Sequence, residues 1–173
     1  MKIKIHFVIL LLSTLSIRAQ VHKKCSYFQF DVEASLKTNL NRTNDNNASS
    51  WFLPDGVNAK FGYGIHHKHL IAIGLHTGMD WKGSEKLVAA PVFINLKISP
   101  KIGPETRILV QLGYGKSFAL GRGNLTGEYR RLSLGIESAE KISFFVALSQ
   151  HGFTVNHTNQ INSISIGLSV TDF

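Results

Sequence analysis

Cysteine is all but absent: Cys25 stands alone among 173 residues. One thiol excludes a disulfide framework, and a thiolate zinc site would need more of them. Proline is scarce too, at four residues, which with fifteen glycines argues against collagen-like or Pro-rich disordered chains. Charged residues amount to 17%, below the roughly 25% of an ordinary soluble domain. Acids are the scarcer sign, 11 against 19 Lys and Arg, for a net charge of +8. Beyond the N-terminus no apolar run approaches the ~18 residues that a membrane-crossing helix needs. The longest, from Leu87 to Ile94, is interrupted by Pro91. A helical membrane bundle is therefore excluded, and the length suits a single domain.

The first twenty residues read MKIKIHFVILLLSTLSIRAQ. Lys2 and Lys4 form a basic start, Phe7 to Leu12 an apolar stretch, and Ala19 a small residue before a cut. This is the layout of a secretory signal peptide, too short to span a bilayer. Residues 1–19 are expected to be cleaved, leaving 20–173 as one domain. Losing Lys2, Lys4 and Arg18 lowers the charge from +8 to +5. Cys25 follows Val-His-Lys-Lys rather than a small-residue lipobox, so it is expected to be a lone thiol in an oxidising compartment.

The rest of the chain alternates with period two, the mark of strands with two different faces. Phe28, Phe30, Val32, Ala34 and Leu36 share one face of the first segment. Val57, Ala59, Phe61, Tyr63 and Ile65 share one in the second, and Ile71, Ile73, Leu75, Thr77, Met79 and Trp81 in the third. The fourth sets Val88, Ala90, Val92, Ile94, Leu96 and Ile98 on one side. Ile108 to Tyr114, Leu132 to Ile136, Ile142 to Leu148 and Ile164 to Val170 repeat the pattern. Eight strands are predicted, joined by short turns at 66–69, 100–105 and 138–141. Longer or more polar loops are predicted at 38–54, 82–86, 119–126 and 152–160.

An even number of strands with alternating turns and loops predicts an all-β, eight-stranded antiparallel up-and-down transmembrane barrel, with both chain ends on the short-turn side. A soluble lipocalin-like ligand-binding barrel is the rival. It would point its apolar face inward and need a well-charged outer face. Here the second face is mostly Gly, Ser and Ala with sparse charge, which suits a cramped lumen better than a wet surface. No Gly-x-Trp motif of the lipocalin type occurs.

These features resemble the small eight-stranded outer-membrane barrels, the OmpA transmembrane-domain and OmpX-like group. The Ala19-Gln20 junction resembles signal peptides of Bacteroidota. The chain ends in Phe173, similar to the C-terminal aromatic signal of that group, although Phe173 is out of phase with the apolar face of Ile164 to Val170. The resemblance implies export to the cell outer membrane, insertion by barrel-assembly machinery, contact with lipopolysaccharide, and a non-enzymatic structural, adhesion or interaction role. An outer-loop protein partner fits that role. No cofactor or metal is expected, and no nucleic-acid partner.

Eight strands leave room only for side chains, so the lumen is expected to be plugged, with a narrow ion path as the alternative. The inward parity nominates Asp31, Glu33, Lys60, His76, Lys97, Arg107, Arg131 and Glu137 as a lumen ion-pair network. A hairpin centred near Arg122 sets Arg107 against Glu137, and a turn around Ile102 sets Lys97 near Arg107. Lys60 is expected to meet Asp31 or Glu33. Lys82, Lys86, Lys116, Arg122 and Arg130, at or near loop bases, form a candidate lipopolysaccharide-contacting rim.

Other motifs carry less. Gly115-Lys116-Ser117 lacks the first glycine of a phosphate loop and lies in a strand. His66, His67 and His69 cluster at a turn and are taken as solvated. Ser149 and His151 share the inward parity, the nearest approach to a lipid A acylhydrolase pair. They would face the lumen, away from lipid. Tyr63, Trp81 and Tyr114 suit an interfacial girdle. Trp51 and Phe52 are expected in the longest loop.

Overall fold

A strand that alternates apolar with small or polar residues leaves its sheet with two incompatible faces, and closing the sheet on itself assigns one inside and one outside. The computed structural model describes residues 25–38, 52–83, 86–121, 125–138, 141–152 and 161–173. It contains β1 (Ser26–Thr38), β2 (Phe52–His67), β3 (Ile71–Lys82), β4 (Leu87–Ile98), β5 (Thr106–Leu120), β6 (Thr126–Ser138), β7 (Ile142–His151) and β8 (Ile161–Asp172). Each strand pairs antiparallel with its neighbours in sequence, and β8 pairs with β1 to close the barrel. The chain thus starts β1 and ends β8 at the same end as the His67–Ile71 and Ser138–Ile142 turns. Residues 1–24, the proposed signal peptide among them, lie outside the described residues.

Inside and outside are assigned as the parity argument requires. Phe61 is 50% exposed and Leu75 61% on the outer wall, whereas Lys60 is 0% and Asp31 1% exposed in the lumen. A water-soluble barrel is the reverse of this. The lipocalin-like reading is therefore set aside, because burying these charges against water-exposed Leu, Ile and Phe would forfeit both hydration and apolar burial.

The small residues of the inner face make room for the large ones. A Cβ added at Gly62 would lie 2.3 Å from the His76 ring, one at Gly113 2.8 Å from Phe93, and one at Gly167 2.6 Å from Phe145. Large side chains fit a narrow lumen because glycines stand opposite them.

Three boundaries differ from the sequence expectation. β2 begins at Phe52, so part of the expected 38–54 loop is strand, while Trp51 lies outside the described residues. β6 reaches up to Thr126, and its five pairs above Arg131 extend the β5–β6 hairpin outward. The connection from Ile98 to Thr106 is longer than the one from Lys82 to Leu87, so loop length does not alternate strictly. Ile102 N–H and Gly103 N–H both donate to the Thr106 carbonyl, which recentres that turn. Lys97 consequently pairs with Gln111 rather than Arg107.

Candidate functional site: the lumen network and the outer rim

Four carboxylates (Asp31, Glu33, Asp80, Glu137) and four cations (Lys60, Lys82, Lys97, Arg131) are buried among the described residues, so the lumen is electrically balanced. Most are chained together. Lys60 Nζ lies 2.7 Å from Asp80 and 3.2 Å from Glu33. Arg131 reaches Glu33 at 2.8 Å and Asp31 at 3.3 Å, donates to Ser133 Oγ, and stacks its guanidinium 5.2 Å from the Phe145 ring. Glu33 also accepts from Ser165 at 2.6 Å and from Asn58. Below this hub Gln29 donates to Asp31, and Gln111 accepts from Gln29 and Asn95.

A second cluster closes the short-turn end. Lys97 meets Glu137 at 2.5 Å, donates to Thr171 Oγ1 at 3.0 Å, and sits 5.3 Å above the Phe173 ring. The out-of-phase terminal aromatic points inward. Its ring packs edge-on against His66 at 4.8 Å and His69 at 4.3 Å, capping the lumen. His69 lies in the turn outside the membrane-spanning strands. Partial burial, then the neighbouring His66, Arg107 and Lys141, hold its pKa below the ordinary histidine value.

The structure thus brings together Asp31, Glu33, Lys60 and Arg131, and separately Lys97 and Glu137. Two nominated residues stand apart. Arg107 is the backbone partner of Glu137, as the hairpin arithmetic has it, but its guanidinium donates to the His69 and Ser99 carbonyls at 2.9 and 3.2 Å and ties two turns together. His76 lies 3.1 Å from the Tyr27 hydroxyl and packs its ring on Phe93.

Sequence reasoning left Asp80, Lys82 and His151 out of the network. Lys82 is a correction: it is no rim residue but is fully buried, donating to Ser35 Oγ at 2.9 Å. The signal was the outward Trp81 beside it, which fixes Lys82 and Asp80 on the inner face. Of the other rim candidates, Lys86 and Lys116 are exposed, and Arg130 is exposed and paired with Glu128 at 2.7 Å. Arg122 lies outside the described residues.

His151 forms an unforeseen constellation. Ser117 Oγ lies 2.9 Å from its Nδ1, and Asp80 Oδ2 lies 3.3 Å from its Nε2. Ser149, the expected partner, instead meets Ser163 at 2.8 Å. A serine, a histidine and an aspartate in line have the residue types of nucleophilic catalysis. Here all three are fully buried, Asp80 is shared with Lys60, and Ser117 lies within a strand paired on both sides. Such a strand has no free N–H pair to receive an oxyanion. The arrangement joins three non-adjacent strands, β3, β5 and β7. Among the described residues no three His, Cys, Asp or Glu side chains are placed to hold a metal.

The chain is a closed, eight-stranded antiparallel β-barrel with an apolar outer wall. No family model matches it, and no curated relative does. Among solved structures it is similar to the Yersinia pestis outer membrane protein Ail in a phospholipid nanodisc, at 7% identity over 85% of this chain and 99% of that one, with a TM-score of 0.49. It is also similar to the crystal structure of Ail, the attachment invasion locus protein, at 7% identity over 85% and 97% with a TM-score of 0.43. Ail in complex with the heparin analogue sucrose octasulfate gives 10% identity, the same coverage and a TM-score of 0.33. At these values the barrel assignment rests on the strand pairing and on the distribution of charge, not on the likeness.

Proposed function

We propose that this chain is a non-enzymatic integral protein of the outer membrane, exported by its N-terminal signal, inserted by barrel-assembly machinery, and serving a structural, adhesion or interaction role. The observation that carries the reading is the inverted distribution of side chains. Apolar side chains face outward on all eight strands while, among the described residues, eight charged side chains are buried in balance within. Only hydrocarbon offers that wall a matching solvent.

The lumen network, with Asp80 and Lys82 added, serves as a plug of balanced charge that fills the narrow barrel with side chains. Lys86, Lys116 and Arg130 remain as the rim through which lipopolysaccharide phosphates would be met by charge-assisted hydrogen bonds. The lipid A acylhydrolase reading loses support, because Ser117, the serine bonded to His151 among the described residues, is enclosed in the lumen.

The deciding experiment compares gel mobility of the mature protein, boiled and unboiled, from an outer-membrane fraction. A detergent-resistant form that shifts on heating supports the reading. A soluble periplasmic protein with no shift overturns it.

A further inference from the structure

The apolar wall is not the same height all round. On β3 the outward apolar positions run from Ile71 to Trp81, and on β4 from Val88 to Ile98. Thr77, the one polar residue among them, spends its hydroxyl on the Pro91 carbonyl at 2.9 Å. At ~3.3 Å per residue and a strand tilt of ~40°, either run spans about 25 Å, the height of a full hydrocarbon belt.

On the opposite side the wall is cut short from above. β6 presents only Leu132, Leu134 and Ile136 before reaching Arg130 and Glu128, which are 60% and 57% exposed on the outer face. β7 stops at Leu148 below Gln150, and β8 at Ile164 below Asn162. Gln150 and Asn162 bond each other at 3.1 Å. On β5, Lys116 follows Tyr114, with Phe118 and Leu120 resuming beyond it. Register makes these polar residues neighbours: Lys116 opposes Glu128, Arg130 opposes Gln150, and Gln150 opposes Asn162. Three or four apolar positions correspond to only about 10–15 Å.

Strand tilt does not explain the difference. Lys116 is the direct partner of Val92, with Ala90 and Val88 still to come above it on β4. Adjacent strands lie ~4.8 Å apart, so a ~40° tilt separates such partners by only about 3 Å in height. A flat bilayer that covers Val88 would therefore bury Lys116 in hydrocarbon. The lower edge is level by comparison, since Ile98, Ile108, Ile136 and Ile142 all lie close to the turn end of their strands.

We propose that the outer wall of β5–β7 is a membrane-thinning surface: lipid headgroups dip to the polar row of Lys116, Glu128, Arg130 and Gln150, while β3 and β4 hold a bilayer of full thickness. Its partner is the bilayer itself, compressed on one side. A short wall is met by thinning of the lipid, at a cost that rises with each ångström of mismatch. The proposal rests on the membrane reading above, and the test separates the two.

The full mature chain is folded into phosphatidylcholine vesicles with 12-carbon and with 18-carbon acyl chains, and folding is followed by gel mobility. In a Cys25→Ser background, Lys116→Cys carries an environment-sensitive fluorophore, leaving the Glu128–Arg130 pair intact. Val92→Cys carries it in a second chain. Emission typical of the headgroup region at 116 in both lipids, with hydrocarbon-like emission at 92, is the expected result. Hydrocarbon-like emission at 116 in the thicker lipid overturns the proposal. Independently, Glu128→Val/Arg130→Leu raises the short wall by two positions. It should increase folding in the thick lipid relative to the thin by about threefold or more. An unchanged ratio also overturns the proposal. A chain that folds in neither lipid and stays soluble would remove the membrane reading with it.

Discussion

Replacing Glu137 with Ala isolates the energetics of the plug. Glu137 and Lys97 are 3% and 2% exposed and 2.5 Å apart, so neither has water as an alternative partner. After the substitution Lys97 keeps one hydroxyl, Thr171 Oγ1 at 3.0 Å, and the Phe173 ring at 5.3 Å, but no anion. Orphaning one member of a buried pair typically costs about 3–5 kcal/mol. The retained hydroxyl and ring place the expected loss at the lower end, about 3 kcal/mol. Glu137→Gln keeps an acceptor and should cost less, whereas Lys97→Met/Glu137→Leu removes both charges and should recover most of the loss. The assay is urea unfolding in a thin bilayer, with stability from linear extrapolation. A Glu137→Ala chain within about 0.5 kcal/mol of the parent would refute the pairing, as would a double variant no better than the single one.

Phe173→Ala should uncap the turn end. A loss of about 2–3 kcal/mol in the same assay is expected, with faster amide exchange at residues 66–71, and unchanged exchange there would deny the cap. The depressed pKa of His69 gives the turn a defined pH dependence. Above the ordinary histidine value of ~6.5 the ring is neutral folded or unfolded, and as pH falls through that value the unfolded chain takes up its proton first, so stability declines on acidification. Protection factors at the turn, with exchange rates corrected for their intrinsic pH dependence, should fall between pH 7.5 and 5.5 in the parent and less so in His69→Gln; equal changes would reject this. The buried Ser117 should resist fluorophosphonate labelling in the folded barrel, and rapid labelling abolished by Ser117→Ala would reopen the nucleophile reading.

The strands, their faces and their even number were legible because a barrel wall imposes parity on every residue, and parity is a property of sequence alone. One hairpin register followed too, Arg107 against Glu137, since the β5–β6 connection is short and nearly symmetric. The same arithmetic failed for Lys97 because the turn before β5 carries extra residues, closed by Lys101 bridging to Arg107 and by two N–H groups on the Thr106 carbonyl. Lys82 sits beside a loop in the sequence, yet its parity opposite to outward Trp81 turns it into the lumen.

Contacts across the lumen belong to a different level. Arg131 with Asp31, and His151 with Ser117 and Asp80, join strands that never pair, and which residues meet depends on the shear with which β8 closes on β1. No hairpin count contains that quantity, so the network's members could be nominated by parity but its bonds could not. This bears on function as well. Among the described residues the buried charges balance, four carboxylates against four cations, and glycines stand opposite the large rings of the lumen. Charge balance does not account for the polar residues outside: Lys116 has apolar Val92 beside it, and Arg130 is exposed directly above the short apolar run of β6. Polar side chains on a lipid-facing wall cost stability unless headgroups reach them. On the proposed membrane reading, the reason for them is to be sought in what the barrel does to the membrane or meets at its outer edge.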